Sequence, residues 1–332
     1  MPGERNVLAH RLITCFCFGV CGLAPAVTGQ TYITFSADGA QRMYPASINR
    51  SGAVTGYWQS NGSSFFNGFV REARGTITAF TVLGLPTCPV SINDTGTIAG
   101  YTCVSNDEHG FVRTSNGMVT TFDPPDSRGT TTQAINAEGA IAGYFYAPNL
   151  SQHGFVRYPN GLITTFDPPG SMGTYARSIN AVGTIAGFYS DSTGTHGFVR
   201  YPGGKIVSFD APGSTVTQVL SINVFGAIAG WYQQAGTSRH IGFIRDPLGH
   251  FTSFDPAFDT HAVSINNEGM VAGGESTLTP ALLGFVRDWH GAITAFSVPD
   301  SIATQAMGSN VVGVIMGWCR IGVSQPAFVR LP

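Results

Sequence analysis

The chain has 332 residues, of which 43 are glycine, 43% are hydrophobic and only 11% are charged. This hydrophobic content excludes a disordered chain. A formal net charge of −2 with no run of Lys or Arg argues against nucleic acid or an anionic membrane surface as a partner. Short strands joined by Gly- and Pro-containing turns give such a composition, so the chain is predicted to be all-β.

The first 26 residues are predicted to be a secretory signal peptide. Arginines precede the apolar segment 12–23, which is too short to span a bilayer, and small residues follow it. Cleavage is expected after Ala26, with Gly29 as an alternative. We therefore expect a secreted or periplasmic protein with no membrane span and a single mature domain over residues 27–332.

An Asn-x-x-Gly motif recurs seven times at intervals of 43 or 44 residues. Asn at the first position and Gly at the fourth suit a type I turn that closes a hairpin, with the Gly in the left-handed conformation. The asparagines are Asn49, Asn93, Asn136, Asn180, Asn223, Asn266 and Asn310.

Each period carries two further motifs and is predicted to contain four strands. In the fourth copy these strands are expected near 176–180, 184–189, 196–201 and 205–210. One motif is Phe-Val-Arg or Phe-Ile-Arg, ending at Arg71, Arg113, Arg157, Arg200, Arg245, Arg287 and Arg330. The other is Thr/Ser-x-Phe, with its aromatic residue at Phe80, Phe122, Phe166, Phe209, Phe254 and Phe296.

Four strands in about 43 residues match one blade of a β-propeller. The predicted fold is a seven-bladed propeller, with repeats starting near 47, 91, 134, 178, 221, 264 and 308. The seventh Thr/Ser-x-Phe strand is missing at the C-terminus, but the segment 32–36 resembles it. Residues 31–40 are therefore expected to complete the last blade and remove an exposed strand edge.

The two faces of such a disc differ in sequence. Uniform Asn-x-x-Gly and short Gly-containing turns belong to one face, whereas loops of variable length belong to the other. Variable loops on a rigid scaffold usually carry binding, so a ligand is expected on the variable face near the central channel. The variable loops are 59–67, 104–108, 147–152, 190–195, 233–239 and 275–282.

Candidate ligand-binding residues follow from this placement. An aspartate comes after the fourth-strand Phe in four copies, and a ring of carboxylates could bind a cation such as calcium, although hydrogen bonding in turns or between blades is the more ordinary use. Trp231 shares its strand position with Trp58 and Trp318 and is a candidate for stacking on a sugar, with packing between blades as the alternative. The aspartates are Asp123, Asp167, Asp210 and Asp255.

Other conspicuous residues are assigned to structure. The seven arginines are expected to pair with backbone or carboxylates between blades. His109, His153 and His196 occupy equivalent positions in different blades, too far apart to share a metal. No metal site is therefore predicted, and no cofactor is required. The chain has no Gly-x-Ser-x-Gly, His-Glu-x-x-His or phosphate-loop motif, so no catalytic residue is assigned.

Three of the six cysteines lie in the signal segment, where lipid attachment to Cys21 stays open. Pairing Asn93 with Thr97 would place Cys88 opposite Thr102, so that Cys103 falls on the other side of the strand. We therefore expect free buried thiols, with a Cys88–Cys103 disulfide as the alternative if a bulge or bend occurs at Pro89.

The copies with His-Gly-Phe-Val-Arg resemble the extracellular HAF-type repeat family of bacteria, named for a His-Ala-Phe motif. The resemblance covers nearly all of the mature chain and implies export, but no activity. We expect a monomeric, non-enzymatic propeller that binds a carbohydrate or an extracellular protein. The alternatives are a polysaccharide hydrolase or lyase, which needs two carboxylates or a carboxylate and a base at the channel mouth, and a structural cell-envelope or matrix component.

Overall fold

The computed structural model describes residues 30–105, 107–255, 259–276 and 282–332. The predicted signal peptide lies outside these residues. Every regular element in the described ranges is a β-strand, so the all-β prediction is confirmed. The same ranges contain no helix long and apolar enough to cross a membrane.

Within the described residues, 28 strands pair as antiparallel units of four, numbered here 1 to 7. Unit 1 comprises β2 (Arg42–Ile48), β3 (Val54–Gln59), β4 (Asn67–Arg71) and β5 (Ile77–Phe80). Unit 2 comprises β6 (Thr87–Ile92), β7 (Ile98–Thr102), β8 (Gly110–Arg113) and β9 (Val119–Phe122). Unit 3 comprises β10 (Gly129–Ile135), β11 (Ile141–Tyr146), β12 (Gln152–Arg157) and β13 (Ile163–Phe166).

Units 4 to 7 repeat the pattern. Unit 4 comprises β14 (Gly173–Ile179), β15 (Ile185–Ser190), β16 (Thr195–Arg200) and β17 (Ile206–Phe209). Unit 5 comprises β18 (Ser214–Ile222), β19 (Ile228–Gln234), β20 (His240–Arg245) and β21 (Phe251–Phe254). Unit 6 comprises β22 (Asp259–Ile265), β23 (Val271–Ser276), β24 (Leu282–Arg287) and β25 (Ile293–Phe296). Unit 7 comprises β26 (Ala303–Ser309), β27 (Ile315–Arg320), β28 (Ala327–Arg330) and β1 (Tyr32–Phe35).

The first strand of every unit contains a β-bulge three residues before the turn asparagine. In unit 4 the register shifts between Ala176 and Ser178, which leaves Arg177 unpaired with β15. The bulge pushes a carbonyl toward the second strand, and a Cβ on Gly187 would lie 2.1 Å from Tyr175 O. A glycine is required there, which explains the Ala-Gly-aromatic pattern of the second strands.

The Asn-x-x-Gly turns form as predicted and also connect the units. Each turn glycine has a positive φ, for example +83° at Gly183. Each asparagine accepts a backbone N–H within its own turn and donates its side-chain amide to the carbonyl of the next asparagine. These bonds run from Asn49 to Asn93, Asn136, Asn180, Asn223, Asn266 and Asn310, with lengths of 3.0–3.2 Å, and Asn310 donates to Asn49 at 3.1 Å.

The seven Phe-Val/Ile-Arg arginines have the predicted structural role, and five of them bond to backbone, but their contact between units is with an aromatic ring instead of a carboxylate. Each guanidinium lies 4.5–5.4 Å from the ring centroid of the fourth-strand Phe of the preceding unit. The first, Arg71, lies over Phe35 of β1, and most of them also donate to the next backbone carbonyl. An aromatic ring thus stands where a carboxylate was expected, and the cation–π contact joins the third strand of one unit to the fourth strand of the preceding unit.

The expectation of free thiols was wrong for two cysteines, because Cys88 and Cys103 form a disulfide with Cα atoms 5.9 Å apart. The first-strand bulge between Pro89 and Ser91 shifts the register by one residue, so Cys88 lies opposite Tyr101 instead of Thr102. That shift returns Cys103 to the same side as Cys88. Cys319 is a buried free cysteine, and burial raises its thiol pKa to about 11.

The first strands of all seven units line one cavity of ≈ 550 Å³, called here the channel. Second-strand aromatic residues also reach it, among them Tyr57, Tyr101, Tyr144 and Trp318. The buried apolar residues lie instead between units, in clusters that each draw on two neighbours. The channel lining is therefore mixed, with tyrosines, serines and one arginine beside aliphatic side chains, whereas the packed apolar clusters lie between the units.

Candidate functional site

The Asn-x-x-Gly turns define one end of the units, called the turn face. The opposite end, called the loop face, carries the loops between second and third strands and the connections between units. All predicted binding residues belong to strand ends or connections on the loop face.

Three of the four predicted aspartates form the same local pair. His109 Nδ1 donates to Asp123 at 2.7 Å, His153 to Asp167 at 2.7 Å, and His196 to Asp210 at 2.9 Å. The hydrogen bond to Asp123 raises the pKa of His109 despite partial burial. The His-Gly-Phe motif thus joins the third strand of a unit to the end of its fourth strand.

The same aspartates also reach the next unit. Asp123 and Asp167 accept hydrogen bonds of 2.5 Å from Thr130 and Thr174, the first-strand threonines that follow them. Asp255 accepts one of 3.2 Å from Thr260. Among the described residues, none of the four aspartates belongs to a cluster with metal-ligand spacing. The structure places them at separate junctions and does not bring them together.

Trp231, the remaining predicted residue, has a different environment from the other two tryptophans. Trp58 joins the apolar cluster between units 1 and 7, and Trp318 lines the channel. The ring of Trp231 packs against two imidazoles, with centroid distances of 4.2 Å to His240 and 5.1 Å to His261. Trp231 therefore forms one wall of a polar cluster at the junction of units 5 and 6.

That cluster contains three potential metal ligands. His240 Nδ1 lies 3.0 Å from His261 Nε2 and 2.9 Å from Asp259 Oδ1, and His261 Nε2 lies 3.6 Å from Asp259 Oδ2. Each of the three side chains is about one-third exposed. Desolvation lowers the pKa of His261, which keeps its imidazole neutral and able to ligate a metal.

These spacings fit a bound transition metal. Zn–N and Zn–O bonds of about 2.0–2.1 Å in a tetrahedral site separate neighbouring ligand atoms by about 3.3 Å. Two imidazoles and one carboxylate also leave a fourth position open for water or a ligand. Nitrogen ligands do not suit calcium, which prefers six to eight oxygens. Among the described residues this is the single group of three or more His, Cys, Asp or Glu with such spacing.

The cluster arises from departures from the repeat. The first residue of a third strand pairs in parallel with the first strand of the following unit, as Gln152 does with Gly173 and Thr195 with Val216. His240 and Asp259 occupy the corresponding positions at the junction of units 5 and 6, and the His240 N–H donates to Asp259 at 3.0 Å. The sequence reasoning examined recurring residues, so it missed both. Aligning the seven copies for residues found only once would have identified them.

A buried carboxyl group lies on the neighbouring strand. Glu275, 4% exposed, is two residues beyond the glycine that faces His261 O, and within the described residues its Oε2 has no hydrogen-bond partner. Burial, with a contribution from Asp255, raises the pKa of Glu275 to about 7. Asp255 itself pairs with Arg239. A carboxyl that titrates near neutrality is suited to proton transfer.

Neither a protein-family model nor a curated protein sequence matches this chain. Solved structures do. The chain is similar to a streptogramin B lyase (TM-score 0.60, 14% identity, 90% of this chain and 97% of that chain covered). It is also similar to virginiamycin B lyase from Staphylococcus aureus (0.61, 12%, 91% and 99%) and to the β-propeller domain of the Trilobed protease from Pyrococcus furiosus (0.62, 9%, 87% and 95%). At these identities the likeness shows a propeller-like fold and nothing more.

Proposed function

We propose that the protein is an exported seven-bladed β-propeller that binds a carbohydrate on its loop face, at a metal-dependent site formed by Trp231, His240, Asp259 and His261. The seven units are the blades, and β1 closes the ring by completing the seventh. Export rests on the sequence of the first 26 residues.

Contacts between the N-terminal and C-terminal parts of the described chain support ring closure. β1 pairs with β28 along its length, from Tyr32 opposite Arg330 to Phe35 opposite Ala327. Asn310 donates to Asn49 with the same geometry that joins consecutive units. Because the contact between units 7 and 1 repeats the contacts between sequential units, a closed ring accounts for all seven interfaces in one way.

The observation that carries the ligand site is the convergence of His240, Asp259 and His261 beside the Trp231 ring. A metal held by His240, Asp259 and His261 would keep one coordination position for a hydroxyl oxygen of a sugar, where it would supply a Lewis-acidic contact. The indole of Trp231 offers an apolar surface that would orient the same sugar.

Metal binding is the first test. Isothermal titration of the mature protein with Zn²⁺ should give one site per chain, and His261→Ala should weaken it by at least about 100-fold, as expected for loss of one of three ligands. His153→Ala is the matched control, because His153 belongs to a His–Asp pair without a third ligand. Equal Zn²⁺ affinity for wild type and His261→Ala would refute the site.

Carbohydrate binding is the second test. A glycan array probed with and without Zn²⁺ should show binding that requires the metal and that Trp231→Ala removes. Trp58→Phe, a change in a packed tryptophan away from the cluster, should leave the array profile unchanged. A profile insensitive to both Zn²⁺ and Trp231 would contradict the proposal.

Glu275 favours a second candidate, a polysaccharide lyase or hydrolase. A carboxyl with a pKa near 7 is suited to act as general acid or base, and Asp255, which contributes to that raised pKa, is a second carboxylate near it. The propeller-like fold carries lyase activity in the streptogramin B lyase. Release of reducing or unsaturated ends from an array-positive polysaccharide, abolished in Glu275→Gln, would establish catalysis; binding without turnover would leave the binding protein.

A further inference from the structure

The bulged first-strand residue projects into the channel in every unit, which makes seven equivalent positions comparable. Six are uncharged and one is arginine. The uncharged ones are Ala46, Val90, Gln133, Leu220, Val263 and Met307, and the seventh is Arg177. Each of them lies three positions before its turn asparagine, and because six of the seven are uncharged, the repeat itself does not demand a cation there.

Arg177 has no counter-charge. Of the described residues that line the channel, it is the one with a formal charge. Its Nε is buried without a hydrogen-bond partner, and its guanidinium makes no ion pair or hydrogen bond within the described ranges. Desolvation lowers the pKa of Arg177, although arginine remains charged at neutral pH. The side chain of Arg177 is only partly buried, so its guanidinium is accessible from the channel, and an anion that enters the channel would meet a positive charge with no carboxylate partner among the described residues.

The surroundings of Arg177 supply hydrogen-bond donors for such a partner. Tyr101 and Tyr144 lie close enough to interact electrostatically with the guanidinium, and both line the channel. Burial, with the neighbouring tyrosines, raises the pKa of Tyr101 and of Tyr57 beside it, so their hydroxyls stay protonated. A guanidinium fork among phenol groups is complementary to an oxyanion.

We propose that Arg177 binds the carboxylate, sulfate or phosphate group of the ligand, which makes the protein selective for acidic carbohydrates. This inference deepens the proposed function and rests on it for the carbohydrate. The ≈ 550 Å³ of the channel accommodates a sugar residue, and its tyrosine rings offer stacking surfaces. The oxyanion would enter from the loop face, where the channel aromatics lie.

The experiment compares two ligands that differ only in charge, a galacturonate oligomer and its methyl ester. Wild type should bind the acid form at least about 10-fold more tightly, as expected for a charge-assisted bidentate contact. Arg177→Gln should abolish this preference and Arg177→Lys should keep part of it. Arg50→Gln removes an exposed arginine at a turn-face position and should leave the preference intact.

Thermal unfolding separates a binding role from a structural one. Without ligand, Arg177→Gln should melt near the wild-type temperature, because the partly exposed guanidinium makes no hydrogen bond or ion pair within the described residues that the substitution would remove. A large fall in Tm, or a preference for acid over ester that survives Arg177→Gln, would overturn the proposal. If neither oligomer binds, the Tm of wild type and of Arg177→Gln is measured with and without sodium sulfate and sodium phosphate. Stabilisation of wild type but not of Arg177→Gln would keep the anion site while the carbohydrate proposal fails; no difference would overturn both.

Discussion

The junction between units 2 and 3 and the junction between units 5 and 6 follow the same backbone pattern, but their polar side chains have different partners. At the first, His109, Asp123 and Thr130 form a closed set of hydrogen bonds. At the second, Asp255 keeps its threonine partner, but the histidine has moved one residue earlier, to His240. A one-residue displacement on a strand turns the side chain to the other face. His240 therefore meets Asp259 and His261 and leaves Asp255 to Arg239.

Space at the two junctions explains why the substitution was tolerated. Gly129 occupies the position of Asp259 at the regular junction, where a Cβ would lie 2.5 Å from the Glu108 carboxylate. At the regular junction the Glu108 carboxylate thus takes the space that the side chain of Asp259 occupies at the junction of units 5 and 6. With the imidazole of His240 in that place, Asp259 fits and contacts it. The repeat fixes the scaffold, and function is expected at the positions where one copy departs from the others.

The largest loss of stability is expected when the strand that completes unit 7 is removed. Deleting residues 31–40 removes β1, exposes the edge of β28 and leaves Arg71 without the Phe35 ring. We expect aggregation or a large fall in Tm, measured by soluble yield and thermal unfolding. Deleting only residues 27–29 is the control, and a 31–40 deletion as stable as wild type would contradict ring closure by the N-terminal strand.

Removing the side chain of one turn asparagine should destabilise the protein less than the deletion does, and more than any substitution on the loop face. Asn180 donates to Asn223 O at 3.2 Å and accepts from Thr184 N at 2.9 Å, in a buried setting. Asn180→Ala loses both bonds and leaves the partners unsatisfied, about 3–4 kcal/mol of unfolding free energy by denaturant titration. Val182→Ala, in the same turn but exposed, should cost under about 0.5 kcal/mol. Equal effects of the two variants would show that the side-chain hydrogen bonds of Asn180 do not stabilise the fold.

The scaffold could be predicted from the sequence because the motifs that form its turns and strands recur seven times. In the fourth copy the predicted strands at 184–189 and 196–201 lie within one residue of β15 and β16. The first strand begins three residues before its predicted start, because threonine-rich segments before the bulge lack the motif. The same bulge reversed the prediction for Cys88 and Cys103. Register shifts depend on backbone packing, which no single residue signals.

The candidate site was harder to predict because its residues occur once. Trp231 was selected for a strand position it shares with other tryptophans, and only the structure distinguishes it by its imidazole neighbours. His240, His261 and Arg177 are ordinary residues at positions whose meaning depends on the register. Their contacts cross from one unit to another, so neighbours in space are distant in the chain: His240 and His261 are 21 residues apart, and the tyrosines near Arg177 belong to other units.

Glu275, on β23 beside the strand that carries Asp259 and His261, should make stability depend on pH. Its pKa is raised from the model-peptide range to about 7, so the folded state holds a proton that the unfolded state releases. Folding stability should therefore fall as pH rises from about 4.5 to 7, by up to about 3 kcal/mol. Glu275→Gln removes this loss. The difference in Tm between the two proteins should be near zero at pH 4.5 and largest above pH 7; a pH-independent difference would contradict burial as the cause.

The smallest effect is expected at a regular junction, from the His109–Asp123 pair. The hydrogen bond to Asp123 raises the pKa of His109 above its ordinary 6.5, so the folded state binds the proton more tightly than the unfolded state. The stabilisation is therefore complete below that value and disappears as pH rises through the higher folded-state pKa. Because the imidazole is 36% exposed, solvent screening limits the contribution to under about 0.5 kcal/mol. Denaturant titrations of His109→Gln at pH 5.5 and pH 8.5 should differ from wild type only at the lower pH, and added salt should shrink that difference. An effect as large as that of Glu275→Gln, or one of opposite sign, would mean that the regular junctions are as strained as the junction that carries the site.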